Sequence, residues 1–221
     1  TIDTSATLTI TANNLTITGT FSNTGILIVS GAGRPSKSDT DSGTVRYTDA
    51  GGLVSNFGAT DYWNLEVLGT GTSTLAGTTV VANAFTVANG TLAQGGFALT
   101  APSLTLGDGD AASITNNAAL SIVGQVAINI GAAASATLDN PGNDFSTITI
   151  TNANNVAIHD LDDLILGTSS LAGTLTVTTG GALTQSGILI GTALVAKTLN
   201  NGGVAITLAN AANNFTSVSL Q

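Results

Sequence analysis

The chain is cut into apolar runs of three or four residues that alternate with Thr or Ser, and none is long enough to build more than a short strand. Leu8-Thr9-Ile10, Leu15-Thr16-Ile17, Phe85-Thr86-Val87, Leu104-Thr105-Leu106, Ile148-Thr149-Ile150, Leu175-Thr176-Val177 and Ile206-Thr207-Leu208 all follow this form. A period of two places one set of side chains in a core and the other in solvent. Between the runs lie Gly, Asn, Asp and Ser, which suit turns. Thr occurs 37 times in 221 residues, and its branched Cβ favours a pleated surface. Long polar helix formers are scarce, with Glu66 the single glutamate and Lys plus Arg totalling 4. The reading is all-β with no helices.

Charged residues make up only 8% of the chain, against about 25% in ordinary globular domains. Low charge can mark a membrane protein, yet no run approaches the ~20 apolar residues of a spanning helix. Barrel strands that cross a bilayer run to roughly 9–11 residues, about twice the length of these. Disorder is equally ill-suited to a chain so rich in Val, Ile and Thr. Strands this short and frequent fit the rungs of a parallel β-helix better than a sandwich.

Internal similarity supports that architecture. Residues 136–150, ATLDNPGNDFSTITI, align without gaps on 206–220, ITLANAANNFTSVSL, with Asn140/Asn210, Asn143/Asn213 and Phe145/Phe215 identical. The offset is 70 residues, whereas TSTLAGTTVV (72–81) and TSSLAGTLTV (168–177) are offset by 96. Unequal offsets suit rungs that vary in length through loops. Phe145 and Phe215 are expected at equivalent buried positions of different rungs. Asn at the bends is expected to bond from rung to rung, as stacked Asn does in cross-β assemblies. Rungs of roughly 20–25 residues give about ten rungs and a rod of ~50 Å. The chain reads as one elongated domain over 1–221, with 31–43 (GAGRPSKSDTDSG) expected as a loop excursion.

The formal net charge of -9 argues against nucleic acid and anionic membrane as partners. Cys is absent, which removes disulfides and thiolate metal sites. Both termini fall inside strand-like patterns and carry little charge or Pro to protect an open edge. Each end is therefore expected to continue, into adjoining repeats or into copies stacked head to tail.

Many β-helices cleave polysaccharides with clustered carboxylates. The best cluster is His159-Asp160-Leu161-Asp162-Asp163, where positions 160 and 162 of a strand would share a face. No Arg or Lys lies close in sequence, and a polar turn between two strands is the expected reading. Asp108-Gly109-Asp110 and the pair Asp39 and Asp41 lack the rest of a calcium loop. One His and no Cys leave no zinc or haem set. The chain is read as a non-enzyme with no cofactor and no metal. Tyr47, Phe57, Tyr62 and Trp63 form the one group that could contact a sugar or protein ligand, or else plug one side of the rod.

The stretch 138–190, with LDNPGNDFSTITI, NNVAIHDLDDLILGTSSLAGTLTV and TTGGALTQSGILI, resembles repeat units of filamentous-haemagglutinin-like bacterial adhesins. Residues 43–100 are similar to repeats in other large bacterial β-solenoid surface proteins. The resemblance implies a right-handed parallel β-helix, export to the bacterial surface, and a structural or adhesive role in attachment, biofilm or filaments. Surface polysaccharide or host molecules are the partners it implies beyond the repeats themselves. A carbohydrate-binding or carbohydrate-cleaving extracellular β-helix is the alternative.

Overall fold

The computed structural model describes residues 1–58, 60–200 and 203–221, and these contain strands, turns and bends but no helix. Every strand pairing among them is parallel. Seventeen strands join one sheet and four a second. The molecule is a parallel β-solenoid of about 11 turns.

One column shows how the sequence pattern becomes a core. Leu8, Leu27, Val45, Leu65, Phe85, Leu104, Val126, Ile148 and Leu166 pair in succession, each one rung beyond the last. All but the first are buried. The neighbouring column, Thr9, Ile28, Arg46, Glu66, Thr86, Thr105, Ala127 and Thr149, points outward. Fully burying a Leu, Ile, Val or Phe contributes about 1.5–3 kcal/mol, and a single rung could not bury both sides of its own inward residues. Steps range from 18 residues, between Leu27 and Val45, to 24, between Leu194 and Val218.

Residues 31–43, expected to leave the rod, stay on it. Pro35 forms a parallel bridge with Leu15, the Leu15 amide donates to Arg34 O at 2.9 Å, and the Ser36 amide donates to Leu15 O at 3.0 Å. The polar residues of this segment turn back onto the backbone instead of outward. Arg34 donates through Nε to Leu53 O at 2.6 Å, through Nη1 to the carbonyls of Gly31 and Gly33, and through Nη2 to Asp49. The 18-residue step across this region leaves no surplus chain.

The 70-residue repeat is not a whole number of turns. Ile148 stacks between Val126 and Leu166. Its sequence counterpart Val218 stacks on Leu194, in the column that continues through Leu175 and Val156 to Ala136. The two copies of the motif therefore sit on different sides of the rod. Phe145 is fully buried, whereas Phe215 is half-buried against the core. The same strand–turn brick fits either side, since each side offers only parallel backbone and inward apolar side chains. Between bricks the turns are tight: Gly90 has φ of 65°, and a Cβ there would lie 2.3 Å from Gly69 O, a position only Gly tolerates.

Candidate functional site

The aromatic group divides between core and surface. Tyr47 and Tyr62 are inward residues on adjacent rungs, 1% and 0% exposed, with rings edge-to-face at 6.5 Å. Burying a phenol requires partners for its hydroxyl, and a closed ring of bonds supplies them. The Ser55 amide donates to Tyr47 Oη at 3.0 Å, the two hydroxyls are 3.0 Å apart, and Tyr62 Oη donates to Ser55 O at 2.5 Å. Burial, before any other cause, holds the Tyr62 hydroxyl well above its ordinary pKa. Arg34 lies over the Tyr47 ring at 5.6 Å. Phe57 packs edge-on against Tyr62 at 5.9 Å and is half-buried, as is Trp63.

Phe57 also lines an open groove along the N-terminal rungs, together with Phe21, Lys37, Thr40 and Asn56. Lys37 donates through Nζ to Gly19 O, and Asn56 Nδ2 bonds Thr78 O and Asp61 Oδ1. The groove thus presents two partly exposed aromatic rings with an ammonium and hydroxyls along it, a set that could hold a sugar chain.

The bends between strands carry a buried polar system that sequence reading found only in part. Asn116 and Asn143 form a reciprocal amide pair, with Nδ2–Oδ1 distances of 3.1 and 2.7 Å. Asn143 also accepts from Leu120 N and donates to Leu138 O, while Asn116 donates to Gln94 Oε1. One repeat later, Gln185 and Asn213 reproduce the pair at 3.0 and 2.8 Å, and Asn213 accepts from Leu189 N and donates to Leu208 O. The matching Asn143/Asn213 positions in the self-alignment were the signal for this ladder. Their partners differ, Asn116 in one copy and Gln185 in the other, so alignment alone did not reveal them.

Towards the N-terminus carboxylates take over. Asn23 Nδ2 donates to Asp39 Oδ2 at 2.6 Å and the Asn23 amide to Asp41 at 3.1 Å. Asp61 gathers the amides of Phe57, Gly58 and Val80. Asp39 Oδ1 has no hydrogen-bond partner among the described residues, and burial raises the Asp39 carboxyl above its ordinary value despite the Asn23 bond.

The acidic sequence clusters are turns. Asp160 ends the strand Val156–Asp160 pointing inward, fully buried, with Oδ1 accepting from Phe145 N at 2.7 Å and Oδ2 from Asp162 N at 3.3 Å. Burial pushes its pKa up to about 6, those amides pull it back, and the charges of Asp162 and Asp144 push it further up. Asp162 and Asp163 are exposed, and Asp163 accepts from Ala182 N at 2.6 Å. Positions 160 and 162 therefore share no face: the strand ends between them. His159 is half-buried, in register with Thr178 and, one rung further, Lys197. Asp108 and Asp110 are exposed, with the Asp110 amide on Asp108 Oδ1 at 3.4 Å. Among the described residues no three His, Cys, Asp or Glu side chains converge as a metal set, and no helix is long and apolar enough to cross a membrane.

Comparison with known proteins adds one finding. Neither the curated proteins nor the solved structures contain a match to the chain. Residues 98–152 and 153–221 each match a family described as repeats of unknown function (DUF5649), and together they make up more than half of the chain. The units meet at Ala153, a buried residue beside the strand Val156–Asp160, and the two amide pairs fall one in each span apart from Gln94 and its contact. The rungs and their amide ladders are thus the architecture of these repeats, and the chain belongs to the DUF5649 family.

Proposed function

We propose that the chain is a rigid structural segment of a bacterial extracellular fibre or surface adhesin, of the filamentous-haemagglutinin-like kind that its repeats resemble. The observation that carries this reading is the unbroken inward column, in which each rung rests on the one before it. With about 11 turns at ~4.8 Å each, the rod is on the order of 50 Å long. Most of its buried polar side chains are bonded between rungs, which stiffens the rod and commits those groups to structure. The partners in this reading are adjoining repeats or copies stacked head to tail, with cell-surface polysaccharide or host molecules meeting the flanks. Small-angle scattering and negative-stain microscopy should show a rod of that length, and bacteria displaying the chain should attach to a surface better than bacteria without it. A compact particle, or display without any change in attachment, would count against the reading.

The groove at Phe21, Lys37 and Phe57 favours a second reading, an extracellular carbohydrate-binding rod. Phe57→Ala should then lower retention on an immobilised polysaccharide by about tenfold, the scale of one lost stacking contact. Release of reducing sugar by the purified chain would move the reading to carbohydrate cleavage.

A further inference from the structure

The motif that occurs twice is covered once and bare once. In the first copy, Leu138, Phe145, Ile148 and Ile150 are 0–1% exposed. The rung that covers them is visible. Val156 and Ile158 pair with Ala136 and Leu138, and Ile165 and Leu166 pair with Thr147 and Ile148. Two further bonds lock the bend: Phe145 N donates to Asp160 Oδ1 at 2.7 Å, and Leu161 N donates to Asn143 O at 2.8 Å.

In the second copy the corresponding side chains are Leu208, Phe215, Val218 and Leu220. Val218 and Leu220 are 57% and 56% exposed, and Leu208 and Phe215 are only half-buried. They are nonetheless inward residues, because Val218 and Leu220 stack on Leu194 and Ala196, which are 3% and 0% exposed. The strand Asn214–Leu220 carries no charged side chain that would discourage pairing along its free edge.

We infer that the face formed by Ile206–Leu220 is a seat for one more parallel rung of this same repeat. The occupant has the pattern seen in Val156–Leu166: two inward aliphatics two positions apart, an inward carboxylate or amide two positions later, and a second aliphatic strand after a short polar turn. Its inward Asp or Asn accepts from Phe215 N, as Asp160 accepts from Phe145 N. Its following amide donates to Asn213 O, as Leu161 donates to Asn143 O. The inference rests on the rod reading above and specifies what the rod's end recognises.

The test extends the 221-residue chain at its C-terminus with a second copy of residues 152–171, beside a control extended with a scrambled version of that segment. Hydrogen exchange at the amides of Phe215–Leu220 should slow by about 100-fold or more with the matched segment and stay unchanged with the scrambled one. Val218→Lys reads the same seat independently. In the original chain, where Val218 is exposed, it should leave the melting temperature within about 2 °C. In the matched extension it should lower it by roughly 5 °C or more, as burying an unpaired ammonium in a rung contact demands. Equal protection by both extensions, no protection by either, or no added cost of Val218→Lys in the matched extension would overturn the seat. A rod in scattering with an unprotected matched segment would remove the seat alone, whereas loss of the rod shape in the unextended chain would remove the reading beneath it.

Discussion

The bends near Asp39 and Asp61 and the bends near Asn143 and Asn213 meet the same demand with different chemistry. Each brings buried polar atoms to the place where the chain turns from one strand to the next. In the repeat-matched part, amides answer one another: each carboxamide both donates and accepts, so Asn116–Asn143 and Gln185–Asn213 close on themselves and still bond the neighbouring backbone. A carboxylate can only accept. Asp61 works because three backbone amides converge on it, whereas Asp39 is left with one oxygen unpaired. The tyrosine pair in the same region adds hydroxyls that accept and donate at once. Amide pairs suit a part that is copied, because they carry their own complement. Carboxylate bends depend on local backbone geometry and must be solved afresh in each rung.

The comparison is broken most directly at Asn143. Asn143→Ala strands the Leu120 amide, the Leu138 carbonyl and half of the Asn116 amide, and should cost about 3 kcal/mol or more. The same change at Asn213, whose surroundings are more exposed, should cost about 1 kcal/mol. Equal losses in denaturant unfolding would show that burial does not set the value of the pair. Next in size, Tyr62→Phe deprives the Tyr47 hydroxyl and Ser55 O of their partner, with an expected loss of about 2 kcal/mol. A loss below a few tenths would mean the hydroxyl ring contributes packing alone.

Asp160 sharpens the comparison, being a carboxylate within the amide-rich part. Its folded pKa of about 6 lies above the ordinary 3.8, so the folded state binds its proton more readily than the unfolded state does. The stabilisation linked to that proton is fully present below about pH 4 and is lost as pH rises through about 6. Between pH 7 and 5 the chain should gain about 1 kcal/mol, roughly 2–4 °C in melting temperature, with Asp39 contributing in the same direction. Asp160→Asn keeps the acceptor for Phe145 N and should flatten most of this slope in thermal melts taken across that range. An unchanged slope would assign the pH response elsewhere.

Much of the rod was legible in the sequence because its signal is local. Period two in Leu104-Thr105-Leu106 or Leu175-Thr176-Val177 states which side chains point inward, and Asn143/Asn213 announced the bends. The step from rung to rung was harder. A 70-residue repeat carried across rungs of 18–24 residues returns the motif to a different side, and a linear alignment has no term for that rotation. The excursion expected at 31–43 came from reading polarity as exposure. Arg34 shows why that failed: its guanidinium is consumed by the carbonyls of its own turn and by Asp49. Of the aromatic group, Phe57 and Trp63 reach the surface. Tyr47 and Tyr62 are enclosed because their hydroxyls satisfy each other, a pairing between residues 15 apart that no local pattern encodes.

The near-constant step between paired residues also governs how such a chain can acquire its structure. A residue's ladder partner lies about one rung away, 18–24 positions along the chain, and ladder pairing joins successive rungs only. The loop to be closed before a new rung is rewarded is therefore the same at the fifth rung as at the first, and its entropy does not grow with the length of the rod. Once a first pair of rungs exists, each further stretch of some twenty residues can zip onto the growing edge as it becomes available, without waiting for the rest of the polypeptide. A chain handed over a little at a time, from a ribosome or through a narrow pore, could fold in the order in which it emerges.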